Sequence, residues 1–591
     1  MVHKTTERFF TSRFLPLYLA LAAILLTLPA LWSGWQQDDL LQRYYLLGNP
    51  DPNGKPVSPL NIFAFLDGDS ITIARHKDLG VIPWWTYPRL RLAFFRPLTG
   101  LTHYVDYELW PQSAELMHAQ SLLWFGALIA AVTLLYRRLH GVTWVAGLAA
   151  LLYALDDAHG LPAGWLANRN AVVATCFGVL ALVVHDHWRR GAFRAGEKLG
   201  PLLFAVGLLS GETALATLAY LVAYALFIDD GSILRRINSL IPYGVITAIW
   251  LLLYRELGFG TQGSGFYVDP IAQPMSYLGA LLERGPILLM DQWAFPPSSP
   301  YMFISAEARS ILLIWAVLVC LVVGFLLVPL LRKDRSARFW CVGMVLSVPV
   351  VAATTPHGRL LLFTGLGGMA LLAMWMQGTW ERWRTPREQE GPAVFHRVLL
   401  VLFVLIHSIG APLLLPLNAV SASTTEQWLQ KPARTADLGP GIEQKDLVLV
   451  NPPIVFLANY FIAVRSLEGL PAPQRQRVLA PGNVAVHIER TDSRTLVIRP
   501  DGGFLAGPFD DVFRARTLPL RAGDRIPLTN VEVEILDIEA DGRPAAVAFR
   551  FAQHLEHASF RWLMWENGEW TTFLPPAVGG TVTLPPAPLL F

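Results

Sequence analysis

The stretch Leu15–Leu40, "LPLYLALAAILLTLPALWSGWQQDDL", settles the class of this protein. From Leu15 to Trp32 no residue is charged, and a helix of that length nearly crosses the ~30 Å hydrocarbon layer of a membrane. A Gly-Trp-Gln-Gln turn follows, and then Asp38 and Asp39, two adjacent acids within a few residues of the expected membrane surface. A cleaved signal peptide is the competing reading. Its apolar core would be shorter, about 7–15 residues, and "LPALWSGW" is a poor cleavage site. We therefore read an uncleaved first helix.

The whole chain agrees. It has 591 residues, 53% hydrophobic and 16% charged, with mean hydropathy +0.40. Soluble domains carry about 25% charged residues, so the expected fold class is a polytopic α-helical membrane protein. The net charge of +2 says nothing about partners, because its distribution matters more than its sum. Nothing points to nucleic acid. Cys176, Cys320 and Cys341 sit in apolar runs without CxxC spacing, which speaks against disulfide or metal roles. No GxxxxGK[ST] loop is present, which disfavours an ATP-driven pump.

Apolar runs fall at roughly 14–33, 117–136, 142–156, 170–187, 199–210, 213–228, 239–255, 308–331, 339–354, 360–379 and 396–415, about eleven spans in all. The pair 199–210 and 213–228 is the weakest, since one long helix is the alternative. With the N-terminus in the cytoplasm, every inner loop is basic: "HKTTERFFTSR", "YRRLHG", "WRRGAFRAGEK", "LRRIN", "LLRKDRSARF" and "ERWRTPREQE…FHR". The short outer loops are nearly bare of Lys and Arg, with Arg169 and Arg359 as exceptions, as the positive-inside rule requires. The loops 34–116 and 256–307 and everything after about 416 are then extracytoplasmic. The bacterial inner membrane is the expected setting.

Beyond residue 416 the pattern changes to period two, in "NVAVHIER", "RTLVIRP", "VEVEILDIEA" and "AAVAFRF". Turn signals "PDGG", "RAGD", "ADGR" and "ENGEW" separate these stretches. The expected organisation is a membrane domain over 1–415 that includes the outer loop 34–116, a linker over 416–440, and a β-rich extracytoplasmic domain over 441–591, a small sandwich or barrel.

Charged groups beside a membrane are costly unless solvated or used, so the outer loops hold the chemistry candidates. Asp38 or Asp39 could act as a general base or help hold a divalent cation; a solvated loop acid or a helix N-cap is the plain alternative. The rest of loop 34–116 carries "FLDGDS" and the run from Phe94 to Trp110, including Arg96 and His103. Its aromatics, Trp84, Trp85, Tyr87, Phe94, Phe95, Tyr104, Tyr107 and Trp110, suggest amphipathic helices lying in the interface. "LDDAHGLPAGWLANRN" gathers Asp156, Asp157, His159, Trp165 and Arg169. Ligands so close in sequence rarely surround an ion, and solvated turn acids are the favoured reading. "TTPHGRLLLF" supplies His357 and Arg359, the latter suited to bidentate phosphate binding. Together these loops outline a cavity of carboxylates and arginines.

At this point the chain resembles a family, the GT-C superfamily of membrane glycosyltransferases, in which an acidic pair follows the first helix. "WQQDDL" matches that position. "FFRPLTGLTHYVDYELWPQSAELMHAQSLLWFGALIAAVTLLYRRL", with His118, resembles a segment of protein O-mannosyltransferase-like proteins, including the transmembrane tetratricopeptide-containing ones. "AGWLANRNAVVATCF" resembles their Trp-x-x-x-Arg loop, "GLLSGETALATL" their Ser-Lys-Glu turn (leaving Glu212), and "PHGRLLLFTGLG" their Glu-Arg-Tyr segment (giving Arg359). The resemblance runs over about 35–380. The chain departs from it at Asp156-Asp157-Ala158-His159, at Gly211 and at Asn170, and it lacks the tetratricopeptide array.

The resemblance implies a GT-C-like fold and transfer of a sugar from a polyprenyl-phosphate donor to an acceptor hydroxyl, with inversion. The acceptor would be a protein, a lipid or a polysaccharide. Asp39, slightly preferred, or Asp38 would be the base. Arg96, Arg169 and Arg359 would hold the donor phosphate, with His103, His118, His159, Glu212 and His357 as further cavity candidates. No metal ligands are assigned, although the resemblance leaves room for a divalent cation on the donor phosphate. A transporter or lipid-linked-oligosaccharide flippase is the rival reading; it would call for repeat halves and broken mid-membrane helices, which the sequence lacks.

Overall fold

The structure, a computed structural model, describes residues 8–384 and 393–587. Of the basic inner segments, the start of the N-terminal one and the loop 385–392 lie outside the described residues. Each apolar run coincides with one helix. These are Leu15–Thr27 with its extension Leu28–Trp32, Ala114–His140, Trp144–Ala154, Arg169–Arg189, Gly196–Ser210, Thr217–Phe227, Ile233–Glu256, Ala306–Lys333, Arg335–Val351, Leu362–Arg384, and Ala393–Val404 continued through Ala411–Val420. Among the described residues, six helices are long and apolar enough to cross a membrane. The protein is a polytopic integral membrane protein. The weak pair is two helices, broken where Gly211 is extended and Glu212–Ala216 makes a tight turn.

Side-chain caps start several helices: Ser113, Thr143, Ser305 and Asp334 each accept from a first-turn backbone N–H. Leu166–Arg189 is the bundle's centre, with 83% of its apolar window buried, whereas Ile233–Glu256 and Ala306–Lys333 bury 17% and 22% and turn most of their side chains outward. The predicted inner loops meet at one end of the bundle. There Asp186 takes Arg138 and Arg190, Asp229 takes Arg189, and Asp230 takes Arg335.

The predicted outer loops meet at the other end, under the C-terminal domain. Strands β1 (Ala64–Asp67) and β2 (Arg91–Ala93) pair with β3 (Gly260–Gln262), joining loop 34–116 to loop 256–307. The stretch 416–440, expected as a linker, carries helix onward to Thr435. The C-terminal domain has two sheets. One is six-stranded and antiparallel, formed by β6 (Val486–Arg490), β7 (Thr495–Pro500), β8 (Arg525–Leu528), β9 (Val531–Ile538), β10 (Pro544–Phe551) and β13 (Thr581–Leu584). The "ENGEW" signal closes a two-residue hairpin in the other sheet, Asn567 and Gly568 both taking positive φ, as this turn requires.

That second sheet, in order β12 (Glu569–Thr572), β11 (Phe560–Glu566), β4 (Asp446–Leu449) and β5 (Arg475–Val478), has a feature that period-two patterning cannot reveal. Strands β4 and β5 are parallel neighbours, so the chain between them must cross over. It does so as the helices Phe456–Asn459 and Phe461–Leu467, which meet at Tyr460. The domain is thus built around a βαβ unit as well as an antiparallel sheet.

The outer loop also departs from expectation. Trp84 and Trp85 are buried, Trp84 packing edge-on against Phe504 and Phe549 of the C-terminal domain. They join Ile73, Ile82 and Leu90 in one core with the strands. The apolar face of a sheet must be covered, and these aromatics cover it, so they do not lie in the membrane interface. Backbone bonds seal the join: Tyr87 N donates to Phe513 O at 2.9 Å, Gly265 N to Asp511 O at 2.7 Å, and Ala515 N to Gly263 O at 2.8 Å.

Candidate active site

The Gly-Trp-Gln-Gln turn is held from all sides. Gly34 O accepts from His118 Nε2 (2.9 Å), Trp35 O from Gln430 Nε2 (2.7 Å) and Gln36 O from Trp165 Nε1 (3.3 Å). The Arg43 guanidinium lies 3.6 Å over the Trp35 ring. This scaffold is needed because Gln37 has φ +44° and ψ −114°, a region costing a non-glycine residue about 1–3 kcal/mol. The strained residue starts the helix Asp38–Leu46 and sends the two acids in different directions.

Asp39 is 2% exposed, and both of its oxygens are taken: Oδ2 accepts from Gln36 N at 2.9 Å and Oδ1 from Ala167 N at 2.7 Å. Burial pushes its carboxyl up to about 8 in spite of those two bonds. Asp38 is half-buried, and its Oδ1 accepts from the Tyr460 hydroxyl at 2.7 Å. Burial raises its carboxyl too, opposed by that hydrogen bond and by the charges of Arg359 and Arg96.

Arg96 precedes the helix Pro97–Leu109. Its Nε pairs with Glu212 Oε2 at 2.7 Å, and its guanidinium lies 4.5 Å over the Phe94 ring. Tyr254 donates to the other Glu212 oxygen at 3.3 Å. With its amide turned to satisfy both neighbours, Asn170 Oδ1 accepts from Arg96 Nη1 at 3.3 Å. Arg359 is the middle residue of the turn Gly358–Leu360, where its N–H donates to His357 Nδ1 at 3.2 Å. Its guanidinium lies 5.3 Å over the Trp165 ring, and among the described residues no carboxylate forms an ion pair with it. Burial pulls it down from its ordinary value, offset by Tyr267 and Asp38. The Tyr267 ring lies 5.3 Å from the Phe94 ring that carries Arg96, and burial raises its hydroxyl in the field of Arg359, Asp38, Arg96 and Glu212.

The remaining expected residues lie elsewhere. Arg169 is fully buried and fully engaged, with Asp106 (2.7 Å), Ser121 Oγ (2.8 Å), Met117 O (2.8 Å) and Gln120, so it presents no free face to a phosphate. His118 supports the turn. His103 is buried beside Phe63. His159 is wedged between Tyr153 and Phe125 and is pushed by burial down to about 3. His357 is likewise pushed down to about 3. Neither can offer a positive charge near neutral pH. Asp156 and Asp157 form a separate group with Asp291 behind the Arg359 turn; Asp156 accepts from Gln292 Nε2 at 2.8 Å, and burial raises all three carboxyls.

The donors beside Asp38 do not fit a divalent cation. Asp39's oxygens are held by amides and Glu212 is held by Arg96. Among the described residues no group of three or more His, Cys, Asp or Glu is placed to hold a metal. Tyr267 and Tyr460 were not anticipated from the sequence. Each is one of two adjacent aromatics in an otherwise unmarked stretch, "GSGFYVDP" and "LANYFIAV", and only the fold turns it inward.

These features define a class: a polytopic membrane protein whose loops at one end of the bundle and C-terminal domain close over a cluster of carboxylate, guanidinium and phenol groups. Three solved structures share something of its path. The Archaeoglobus fulgidus oligosaccharyltransferase, crystallised tethered to an acceptor peptide, matches with TM-score 0.39 and 12% identity over 79% of this chain. ArnT from Cupriavidus metallidurans, bound to undecaprenyl phosphate, gives 0.36 and 15% over 77% of this chain and 85% of its own. Mycobacterial arabinofuranosyltransferase AftD gives 0.30 and 14% over 91% of this chain and 42% of its own. This chain spans 64% of the length of the archaeal enzyme. No protein-family model and no curated protein matches it. The site assignments rest on this chain's own side chains.

Proposed function

We propose that the protein is a GT-C-like glycosyltransferase that moves a sugar from a polyprenyl-phosphate carrier to an acceptor hydroxyl at the extracytoplasmic face. The observation that supports this reading is one carboxylate, Asp38, sharing a half-buried site at the membrane end with the guanidinia of Arg359 and Arg96. Asp38 takes the proton of the acceptor hydroxyl, whose oxygen attacks the anomeric carbon from the side opposite the phosphate. The bond from carbon to phosphate oxygen breaks, its electron pair leaves with the lipid phosphate, and the anomeric configuration inverts. Arg359, which forms no ion pair with a carboxylate among the described residues, takes up the developing charge, and Arg96 adds to the field. A carboxyl raised by burial holds the proton better, which suits a general base. Asp39 anchors the turn and Arg169 the helix packing, so neither enters the reaction.

The test uses membranes carrying the full chain and undecaprenyl-phosphate-linked sugars. Asp38→Asn should lower transfer at least about 10²-fold, the scale of a lost general base. Asp39→Asn should instead destabilise the fold by about 1–3 kcal/mol, read as a lower unfolding temperature, because its amide turns a donor toward a backbone N–H. Wild-type transfer by Asp38→Asn would end the proposal.

A further inference from the structure

We infer that the C-terminal domain completes the site, and that the Tyr460 hydroxyl is the positioning group for the Asp38 carboxylate. The inference rests on the reading of Asp38 given above and assigns a role to a domain that the membrane helices do not need for anchorage. Tyr460 is 4% exposed, and its hydroxyl, 2.7 Å from Asp38 Oδ1, is a donor to a group that only accepts when ionised. With Oδ1 tied, Oδ2 is the oxygen left to receive the acceptor's proton.

The crossover helices hold Tyr460 rigidly. Phe461 is fully buried, edge-on to Trp570, and Phe456 packs 4.5 Å from the Phe509 ring. Gln476 Nε2 of β5 donates to Ala458 O at 2.6 Å and to Gly80 O of the outer loop at 2.8 Å. Arg465 donates to Ala433 O at 2.9 Å and to Pro471 O at 2.7 Å. The helix Phe461–Leu467 also packs against the helix Asp38–Leu46. The phenol therefore reaches Asp38 only when the βαβ unit is docked.

The groups facing Asp38 are Tyr460 from the crossover, Arg359 from its turn, Arg96 from the start of Pro97–Leu109, Tyr267 from loop 256–307, and Asp39 on its own helix. Arg359, Arg96 and the Tyr460 bond favour the ionised form. Removing the bond must therefore raise the Asp38 midpoint.

The experiment is an infrared pH titration of the full chain in nanodiscs, with the Asp38→Asn spectrum subtracted to isolate the Asp38 carboxyl. Tyr460→Phe should raise its midpoint by about one pH unit, a tenfold change, the scale of one lost hydrogen bond to a charge. A 3,5-difluorotyrosine at position 460, a stronger donor, should lower it, and this variant decides the matter if the phenylalanine variant does not fold. A midpoint that neither variant moves overturns the inference. In transfer assays with undecaprenyl-phosphate-linked sugars, the acidic limb of kcat/KM should move up with Tyr460→Phe and activity should recover at high pH. A uniform loss at every pH would mean a purely structural residue. If the wild type transfers no sugar, the glycosyltransferase reading fails while the titration still decides the Tyr460–Asp38 pairing.

Discussion

Two neighbouring carboxylates with identical chemistry have opposite fates here. Asp39 spends both oxygens on backbone amides, and Asp38 keeps one free beside two guanidinia. The arginines divide in the same way. Arg169 is locked to Asp106 inside the bundle, whereas Arg359 faces a tyrosine hydroxyl and an indole. The two should separate cleanly on mutation. Arg359→Ala should lower kcat about 10²–10³-fold, the cost of one missing donor to a developing anion, with little change in the thermal midpoint. Arg169→Ala should leave Asp106 buried without its partner and destabilise the fold by about 3–5 kcal/mol. Thermal unfolding and transfer kinetics on both variants check this.

At the scale of elements, the site depends on a contact between loop 34–116 and β5. Gly80 ends the helix Ser70–Leu79 with φ +77°, and a Cβ there would sit 1.9 Å from Gln476 O. The left-handed backbone disfavours a side chain here, and the overlap excludes one. Gly80→Ala should cost about 2 kcal/mol or more, from the left-handed backbone together with the overlap. Because Gln476 also holds the helix end beside Tyr460, transfer should fall along with the unfolding temperature. A variant that melts and transfers like the wild type would refute the coupling.

At the scale of the whole molecule, two distant parts of the chain share a core, Ile73, Ile82, Trp84, Trp85 and Leu90 with the strands of 441–587. Removing residues 436–591 would uncover Trp84 and Trp85, whose burial is of the scale that costs about 3–5 kcal/mol each to lose. The truncated chain should elute from size exclusion as aggregate and transfer nothing, even though its membrane helices are intact. A monodisperse, active truncation would show that the outer loop folds alone and would remove the basis for a composite site.

The helices were legible because each apolar run had to hide its backbone from lipid, and that demand is written locally in composition. The antiparallel strands were legible for a similar reason, since alternation is a local signal. The acid pair and Arg359 stood out as charges at membrane ends. The sequence could not show that Asp39 is an anchor and Asp38 free, because that depends on a strained turn held by His118, Trp165 and Gln430 from distant segments. Nor could it show the parallel β4–β5 pair, which brings Tyr460 across 422 residues of sequence to Asp38. Long-range pairing leaves no periodic trace. Local patterning thus gave the chain its membrane class and its elements, and packing between remote segments selected which of its charged groups face one another.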